Sequence, residues 1–304
     1  YKNFTLYLKE HFPYKVQKIS INAGFTCPNR DGTKGRGGCT YCNNKSFTPD
    51  YSASIKTVSK QLKEGIEFFS HKYEEMKYLA YFQSYTNTYE SVDKLKDLYE
   101  EALAYPGVVG LVISTRPDCM PDELLNYLEE INKKHYVLIE YGVESTLNST
   151  LERVNRQHTF EESKQTIIKT AERGIPVGAH MILGLPGESR SDLLLHATTL
   201  SRLPLTTIKL HQLQIVRGTA MANEYKLQPE SFNIFQLDEY VELCVDFLEL
   251  LNPNFYIDRF ASQSPKEMLI TPDWGVKNYE ITQKITKRFK ERDTFQGRLF
   301  NKNI

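Results

Sequence analysis

Apolar residues recur at intervals of three or four positions in several long segments of this chain. Val58, Leu62 and Ile66 illustrate the pattern, which places them on one face of a helix. The same periodicity predicts six main helices, at residues 54–69, 91–103, 121–131, 160–174, 189–203 and 236–251. Ser189 and Asp192 have the spacing of a capping box, which indicates that the fifth of these helices begins there.

Short runs of apolar and β-branched residues lie between these helices and are typical of buried strands. They occur at residues 18–24, 77–83, 108–114, 136–144, 175–184 and 206–216. Six strand-then-helix units predict an α/β fold with a parallel sheet and external helices, either an open, partial barrel or a doubly wound sheet. In both architectures the chemistry belongs in the loops that follow the C-terminal ends of the strands.

The chain after residue 252 departs from this alternation. It contains the segment NFYIDRF, the tryptophan Trp274 and one more predicted helix. We therefore expect a barrel domain over residues 1–252 and a C-terminal extension over residues 253–304 that packs on the barrel.

The composition is that of an ordinary globular protein. Of the 304 residues, 40% are hydrophobic and 25% are charged; no apolar run is long enough to span a membrane, and the first residues do not resemble a signal peptide. Lysine plus arginine and aspartate plus glutamate both number 38, so the net charge does not indicate a nucleic-acid partner. Residues 284–292, KITKRFKER, are locally basic, for which a solvated helix face is the more common explanation. We expect a cytoplasmic protein with no membrane partner.

Three of the five cysteines lie close together, directly after the first predicted strand. In CPNRDGTKGRGGCTYC, eleven residues separate Cys27 from Cys39, and two separate Cys39 from Cys42. Thiolates bind zinc, copper(I) or iron–sulfur clusters, and three of them leave one coordination position open, which is typical of a reactive site. A zinc site completed by a distant histidine is the alternative. Cys119 and Cys244 are expected to be small buried side chains in a reducing compartment.

The cysteine spacing, with Tyr41 before the last cysteine, resembles the radical S-adenosylmethionine (radical SAM) superfamily. Over residues 17–218 the chain looks like the branch that contains the oxygen-independent coproporphyrinogen oxidases and the elongator-type catalytic subunit. This resemblance implies a partial (β/α)6 TIM-type barrel and a [4Fe–4S] cluster on the three cysteines, with S-adenosylmethionine on the fourth iron. An electron from a donor such as flavodoxin or ferredoxin would then release a 5′-deoxyadenosyl radical.

Two segments at predicted strand ends match places where the family binds S-adenosylmethionine. FQSYTNTY corresponds to the site of the methionine amino group and implies contacts from Ser84, Tyr85 and Thr86. ISTRPD resembles an elongator-type ETRPD and implies a contact from Ser114, where family members carry a ribose-binding glutamate.

Three further segments extend the match. YGVES resembles the family's GVQS and implies that Glu144 faces the ribose hydroxyls, and NRQH implies that Arg156 binds the methionine carboxylate. HMILGLPGES resembles the family's GLPGQT turn and implies that His180 and Ile182 lie near ribose and adenine. Tyr41 is included among the implied cofactor contacts.

The whole-chain pattern, including TRPDC, KLHQLQIVRGTAMA, TPDW and RDTFQGR, resembles the YtqA-like (MnmL) subgroup. That subgroup is associated with the wobble uridine of transfer RNA, so the implied reaction converts a carboxymethylaminomethyl side chain to aminomethyl. Lys287 and Arg288 of the basic segment would then contact RNA phosphates. The alternatives are a radical enzyme for a small molecule such as a porphyrin precursor, or a non-catalytic metal-binding interaction module. No catalytic acid, base or radical relay is identified.

Overall fold

The computed structural model describes residues 1–46, 48–49, 51–70 and 76–301. Within these residues the strands are β1 (Lys15–Ile21), β2 (Met76–Phe82), β3 (Val108–Thr115), β4 (Tyr136–Glu144), β5 (Val177–Leu183), β6 (Thr207–Gln212), β7 (Ile215–Val216), β8 (Tyr256–Arg259) and β9 (Leu269–Thr271). Seven of them form one parallel sheet in the order β1-β2-β3-β4-β5-β6-β8. Strand β7 pairs antiparallel with β9.

Helices cover the outer face of this sheet. The described α-helices are α1 (Phe4–His11), α2 (Val58–Ser70), α3 (Val92–Leu103), α4 (Asp122–Asn132), α5 (Asn148–Arg153), α6 (Phe160–Ala171), α7 (Arg190–Leu200), α8 (Ala220–Leu227), α9 (Leu237–Leu250) and α10 (Asn278–Glu291). Leu95 of α3, Leu125 of α4 and Ile139 of β4 belong to the apolar core between the helices and the sheet. None of these helices is both long and apolar enough to cross a membrane.

The inner face of the sheet is closed at the N-terminal ends of the strands by helix α1. Phe4 and Tyr7 of this helix pack against Leu79 of β2 and Leu138 of β4. The sequence analysis did not predict α1, which is eight residues long and lies before the first strand. Its two buried aromatic side chains form the floor of the barrel.

The sheet curves into a partial barrel, as the contacts of one partly buried lysine demonstrate. Lys18 of β1 contacts Glu140 of β4 at 2.9 Å and Asp258 of β8 at 3.0 Å. A single side chain can reach the first, central and last strands only if the sheet curls around it. The predicted α/β partial barrel is therefore confirmed.

The sheet contains one more strand than the six that the sequence predicted. Strand β8 comes from the NFYIDRF segment and pairs with β6, so that residues beyond 252 complete the barrel wall. The division into residues 1–252 and 253–304 stays a prediction, but the second segment does more than pack on the outside of the first.

The single strand predicted over residues 206–216 is wrong in its second half. Strand β6 ends at Gln212, and the chain then turns to form β7. The side chain of Gln212 exchanges two hydrogen bonds of 2.9 Å with the backbone of Ser262, and Ser264 donates to Gln214 at 2.9 Å. These contacts hold the chain after β6 against the segment after β8, which a one-dimensional apolar pattern does not reveal.

Candidate active site

The three clustered cysteines lie at the C-terminal end of the barrel, where the chain order predicts the chemistry. Cys27, Cys39 and Cys42 all line one cavity above the inner face of the sheet. Cys39 is buried and the other two are partly exposed. The three thiols therefore line one space that is accessible from outside.

Nitrogen donors from three different segments approach the sulfur atoms. Asn29 Nδ2 lies 3.6 Å and Arg156 Nη1 lies 3.5 Å from Cys39 Sγ, and Asn44 Nδ2 lies 3.6 Å from Cys42 Sγ. Such hydrogen bonds stabilise negative charge on sulfur and tune the potential of an iron–sulfur cluster.

Without bound metal, the Cys42 thiol keeps its proton. Burial, followed by the charge of Cys39, raises the pKa of the Cys42 thiol to about 11. Bound metal reverses this, because a coordinating thiol loses its proton. Among the described residues, no three Cys, His, Asp or Glu side chains converge where a single metal ion would sit. A cluster instead places its cysteines on separate irons, so its ligands surround it.

The cysteine loop is held in place by the segment that follows α5. Asn29 Nδ2 donates to the Asn155 carbonyl at 2.5 Å, and Asn155 Nδ2 donates to the Gly38 carbonyl at 2.9 Å. Asn29 is fully buried. A Cβ atom on Gly35 would lie 2.2 Å from Asn29 Oδ1, so the loop closes around Asn29 only because residue 35 is glycine.

Replacing Gly35 by alanine is expected to lower the iron content of the reconstituted protein at least severalfold, because Asn29 must move away from Cys39. Iron and sulfide would be measured per chain after anaerobic reconstitution. The matched control is Gly37→Ala in the same loop, since a Cβ atom there meets nothing within 4 Å although φ is +81°. Gly37→Ala costs about 1 kcal/mol of backbone strain and should keep its iron. Equal iron contents in the two variants would contradict the role given to Asn29.

Arg156 and Glu144 face each other at the end of β4. Arg156 Nη2 donates to the Gly142 carbonyl at 2.6 Å and lies 3.7 Å from Glu144 Oε1. Burial raises the pKa of Glu144, although Arg156 opposes this shift. Glu144 has a φ of +69°, which is strained for a non-glycine residue and typical of functional sites. Arg156 Nε is buried without a hydrogen-bond partner among the described residues, so the guanidinium has a donor left for a ligand.

Arg116 and Asp118 of the ISTRPD segment connect the end of β3 to Arg156 and to the cysteine loop. Arg116 binds Asp118 at 2.9 and 3.0 Å and donates to the Arg156 carbonyl at 2.9 Å. Asp118 also pairs with Lys34 of the cysteine loop at 2.6 Å. Burial acts to raise the pKa of Asp118, but Arg116 outweighs it and the pKa is about 2. The sequence analysis identified this segment as a cofactor contact. It did not identify the contacts of Arg116 with Arg156 and of Asp118 with Lys34, because these pairs are far apart in the sequence.

The segment after β2 contacts the cysteine loop from the other side. Tyr85 N donates to Asn44 Oδ1 at 2.9 Å, and Thr86 N donates to the Thr26 carbonyl at 3.2 Å. Tyr85 and Thr86 line the cavity, whereas Ser84 is buried beside it and bonded to Thr48 at 3.1 Å. The structure thus brings two of these three residues to the cavity surface.

The other four predicted contact residues also line the cavity. Tyr41 and Ile182 pack against one apolar cluster, and the Tyr41 hydroxyl is buried without a hydrogen-bond partner among the described residues. Ser114 Oγ and His180 Nε2 contact the same carboxylate oxygen of Glu140, at 3.0 and 2.9 Å. The predicted residues therefore form an apolar wall and a polar floor.

The polar floor consists largely of residues that the sequence analysis did not assign. Glu140 Oε2 is 2.6 Å from Lys209 Nζ, and Arg259 Nη2 is 3.3 Å from both ring nitrogens of His211. All four residues lie on strands, and Glu140 and Lys209 are almost completely buried. A charged residue inside a predicted buried strand, as in YVLIEYGVE, is the signal that could have identified them.

Family models and relatives match the chain over most of its length. The model of the Radical SAM superfamily matches residues 25–200, and that of the Radical_SAM C-terminal domain matches residues 205–291. YtqA of Bacillus subtilis (strain 168) is 35% identical over 305 residues, which cover 99% of this chain and 93% of YtqA.

Two more distant similarities involve a solved structure and one further protein. The structure of archaeal Methanocaldococcus infernus Elp3, with residues 1–46 deleted, superimposes with a TM-score of 0.67 at 15% identity and covers 93% of this chain and 64% of that one. A protein named tRNA uridine(34) acetyltransferase from the same species is 21% identical over 188 residues, 60% of this chain and 34% of its own length. The superposition shows that the fold is shared.

Proposed function

This chain belongs to the radical SAM superfamily, and from that premise we propose that it modifies the wobble uridine of transfer RNA. Its cofactors are a [4Fe–4S] cluster and S-adenosylmethionine. When bound, they supply a 5′-deoxyadenosyl radical that can remove a hydrogen atom from an unactivated carbon. Because the superfamily uses an iron–sulfur cluster, the alternative hypothesis of a zinc site no longer applies.

One observation supports the proposed cluster chemistry: three thiols line the cavity, and nitrogen donors lie beside two of them. In our proposal Cys27, Cys39 and Cys42 hold the cluster. Arg156 binds the methionine carboxylate through its free Nε donor, and Glu144 accepts hydrogen bonds from the ribose hydroxyls.

The remaining predicted contacts complete the binding site in this proposal. Tyr85 and Thr86 lie where the amino group would bind, with Ser84 supporting them from behind. The residues assigned to ribose and adenine, which are Ser114, His180 and Ile182, line the same cavity. Tyr41, which is included among the cofactor contacts, also lines it.

The choice of substrate is supported by two similarities. The whole-chain pattern resembles a subgroup associated with the wobble uridine, and one distant relative is named for uridine 34 of transfer RNA. In the proposed net reaction, the methylene between nitrogen and carboxylate is oxidised and water enters. The C–N bond then breaks to give the aminomethyl group, glyoxylate and a proton, while S-adenosylmethionine is reduced to methionine and 5′-deoxyadenosine.

The basic segment of α10 is a weaker candidate for RNA contact than its sequence indicates. Arg288 pairs with Glu242 of α9 and with Glu291, and Lys287 lies 3.4 Å from Glu291. These carboxylates neutralise much of the positive charge that would attract phosphates. Part of the basic character therefore serves the packing of α10 against α9.

Incubation of the reconstituted protein with transfer RNA, S-adenosylmethionine and a reductant is expected to convert carboxymethylaminomethyluridine to aminomethyluridine. Mass spectrometry of digested RNA would follow both nucleosides, and chromatography would measure one 5′-deoxyadenosine per product. The RNA should come from a strain that lacks the gene, and a reaction without S-adenosylmethionine is the control. Unchanged RNA together with consumption of a porphyrin precursor would instead favour the small-molecule alternative.

Members of this superfamily need an electron donor. We propose that a flavodoxin or a ferredoxin serves this chain and that the reaction takes place in the cytoplasm. The five cysteines, none of them in a disulfide in the described chain, agree with a reducing compartment.

A further inference from the structure

Arg259, at the end of β8, is a cavity-lining cation without a carboxylate partner in the described part of the chain. Among the described residues, its Nη2 contacts the ring of His211, at 3.3 Å. Its Nε is buried and makes no hydrogen bond to any described residue. A buried guanidinium nitrogen needs a hydrogen-bond acceptor, so this arrangement indicates a ligand that supplies one.

Among the described residues, the lysines of the barrel interior and Arg156 have carboxylate partners, whereas Arg259 has none. Arg30, which also lines the cavity, donates to the Cys42 carbonyl at 2.7 Å. Lys18 and Lys209 each contact both Glu140 and Asp258 at distances of 2.6 to 3.0 Å. Arg156 faces Glu144. The interior thus balances its lysines with two carboxylates and leaves Arg259 uncompensated toward the cavity.

His211 holds Arg259 without neutralising it. Burial and then the charge of Arg259 lower the pKa of His211 well below its usual value, so the imidazole is neutral and accepts a hydrogen bond. The nearby groups are His180, Lys209 and Glu140, and the Glu140 carboxylate is already shared by Lys18, Lys209, His180 and Ser114. His211 therefore orients a guanidinium whose charge remains available.

The wall around Arg259 is polar and fixed. The hydrogen bonds between Gln212 and Ser262 and between Gln214 and Ser264 anchor the segment that follows Arg259 to the end of β6. All four of these residues line the same cavity as the cysteines. A rigid polar wall with one available guanidinium is suited to an anionic group on a substrate.

We propose that Arg259, oriented by His211, binds the carboxylate of the carboxymethylaminomethyl substrate in a bidentate ion pair. The inference rests on the proposed function and adds the residue that recognises the substrate. A guanidinium presents two parallel N–H donors that match the two oxygens of a carboxylate, whereas a lysine ammonium does not. The aminomethyl product has no carboxylate, so the same contact distinguishes substrate from product.

The test compares two RNA substrates within each enzyme variant. One carries the natural carboxylate, and the other carries the corresponding neutral primary amide, which is almost the same size. The ratio of their kcat/KM values is measured for the wild type, Arg259→Met, Arg259→Lys and the matched control Arg202→Met. Arg202 is exposed and does not line the cavity. Because the ratio is internal to each preparation, incomplete cluster loading does not affect it.

We expect the wild type and Arg202→Met to prefer the acid by about 100-fold, and Arg259→Met to show a ratio within about threefold of one. Arg259→Lys should lie between them, and it decides the matter if the methionine variant does not fold. A ratio in both Arg259 variants equal to that of the wild type would overturn the inference while leaving the proposed function intact. A wild type that converts neither RNA would overturn the proposed substrate, and the inference with it.

Discussion

Replacement of Cys39 by alanine is expected to reduce 5′-deoxyadenosine formation to background. Cys39 is the most buried of the three cluster cysteines and the acceptor of hydrogen bonds from both Asn29 and Arg156. The substitution removes one of the three protein ligands in our proposal and leaves these donors without their sulfur acceptor. We therefore expect the variant to retain little iron and no S-adenosylmethionine cleavage.

The measurement uses protein reconstituted anaerobically with iron and sulfide, then supplied with S-adenosylmethionine and dithionite. Cys244→Ala is the matched control, because Cys244 is a buried thiol on α9 that does not line the cavity. It should keep its iron and its product yield and lose only a little thermal stability. Product formation by Cys39→Ala at the wild-type rate would show that the cluster has other ligands.

The features that the sequence predicted well are those that local pattern and chain order determine. Strand β4 occupies the predicted residues 136–144, because a run that is mostly apolar is typical of a strand buried on both faces of a sheet. The capping box of Ser189 and Asp192 is present at the start of α7. The placement of the cysteine loop follows from its position after β1, since parallel strands direct their C-terminal loops to one end.

The features that the sequence did not predict depend on contacts across the barrel. Glu140 and Lys209 are 69 residues apart, and each would be unfavourable in its strand without the other. Arg259 acquires its place only when β8, a strand of four residues, joins the sheet. Such a strand has too few residues to show a periodicity, so both the strand and its cation were assigned to an extension.

Replacement of Glu140 by glutamine is expected to destabilise the protein by about 3–5 kcal/mol, because it breaks a buried ion cluster. The Glu140 side chain is 1% exposed and contacts Lys18, Lys209 and His180 at 2.6 to 2.9 Å. Burial alone would raise the pKa of Glu140, but the charges of Lys18 and Lys209 outweigh it and hold the pKa well below its usual range. The variant would leave both lysines to Asp258 alone.

A second substitution separates the charge effect from a general loss of packing. Glu140→Gln with Lys209→Met removes the ammonium that lost its closer carboxylate, while Lys18 stays paired with Asp258 at 3.0 Å. We expect the double variant to be more stable than Glu140→Gln, with a coupling free energy above about 1 kcal/mol. Thermal unfolding followed by circular dichroism would measure it, with Glu130→Gln, from an exposed pair with Lys133, as the control that should not change the midpoint. Additive effects in the double variant would mean that the floor of the active site is held by packing and not by its charges.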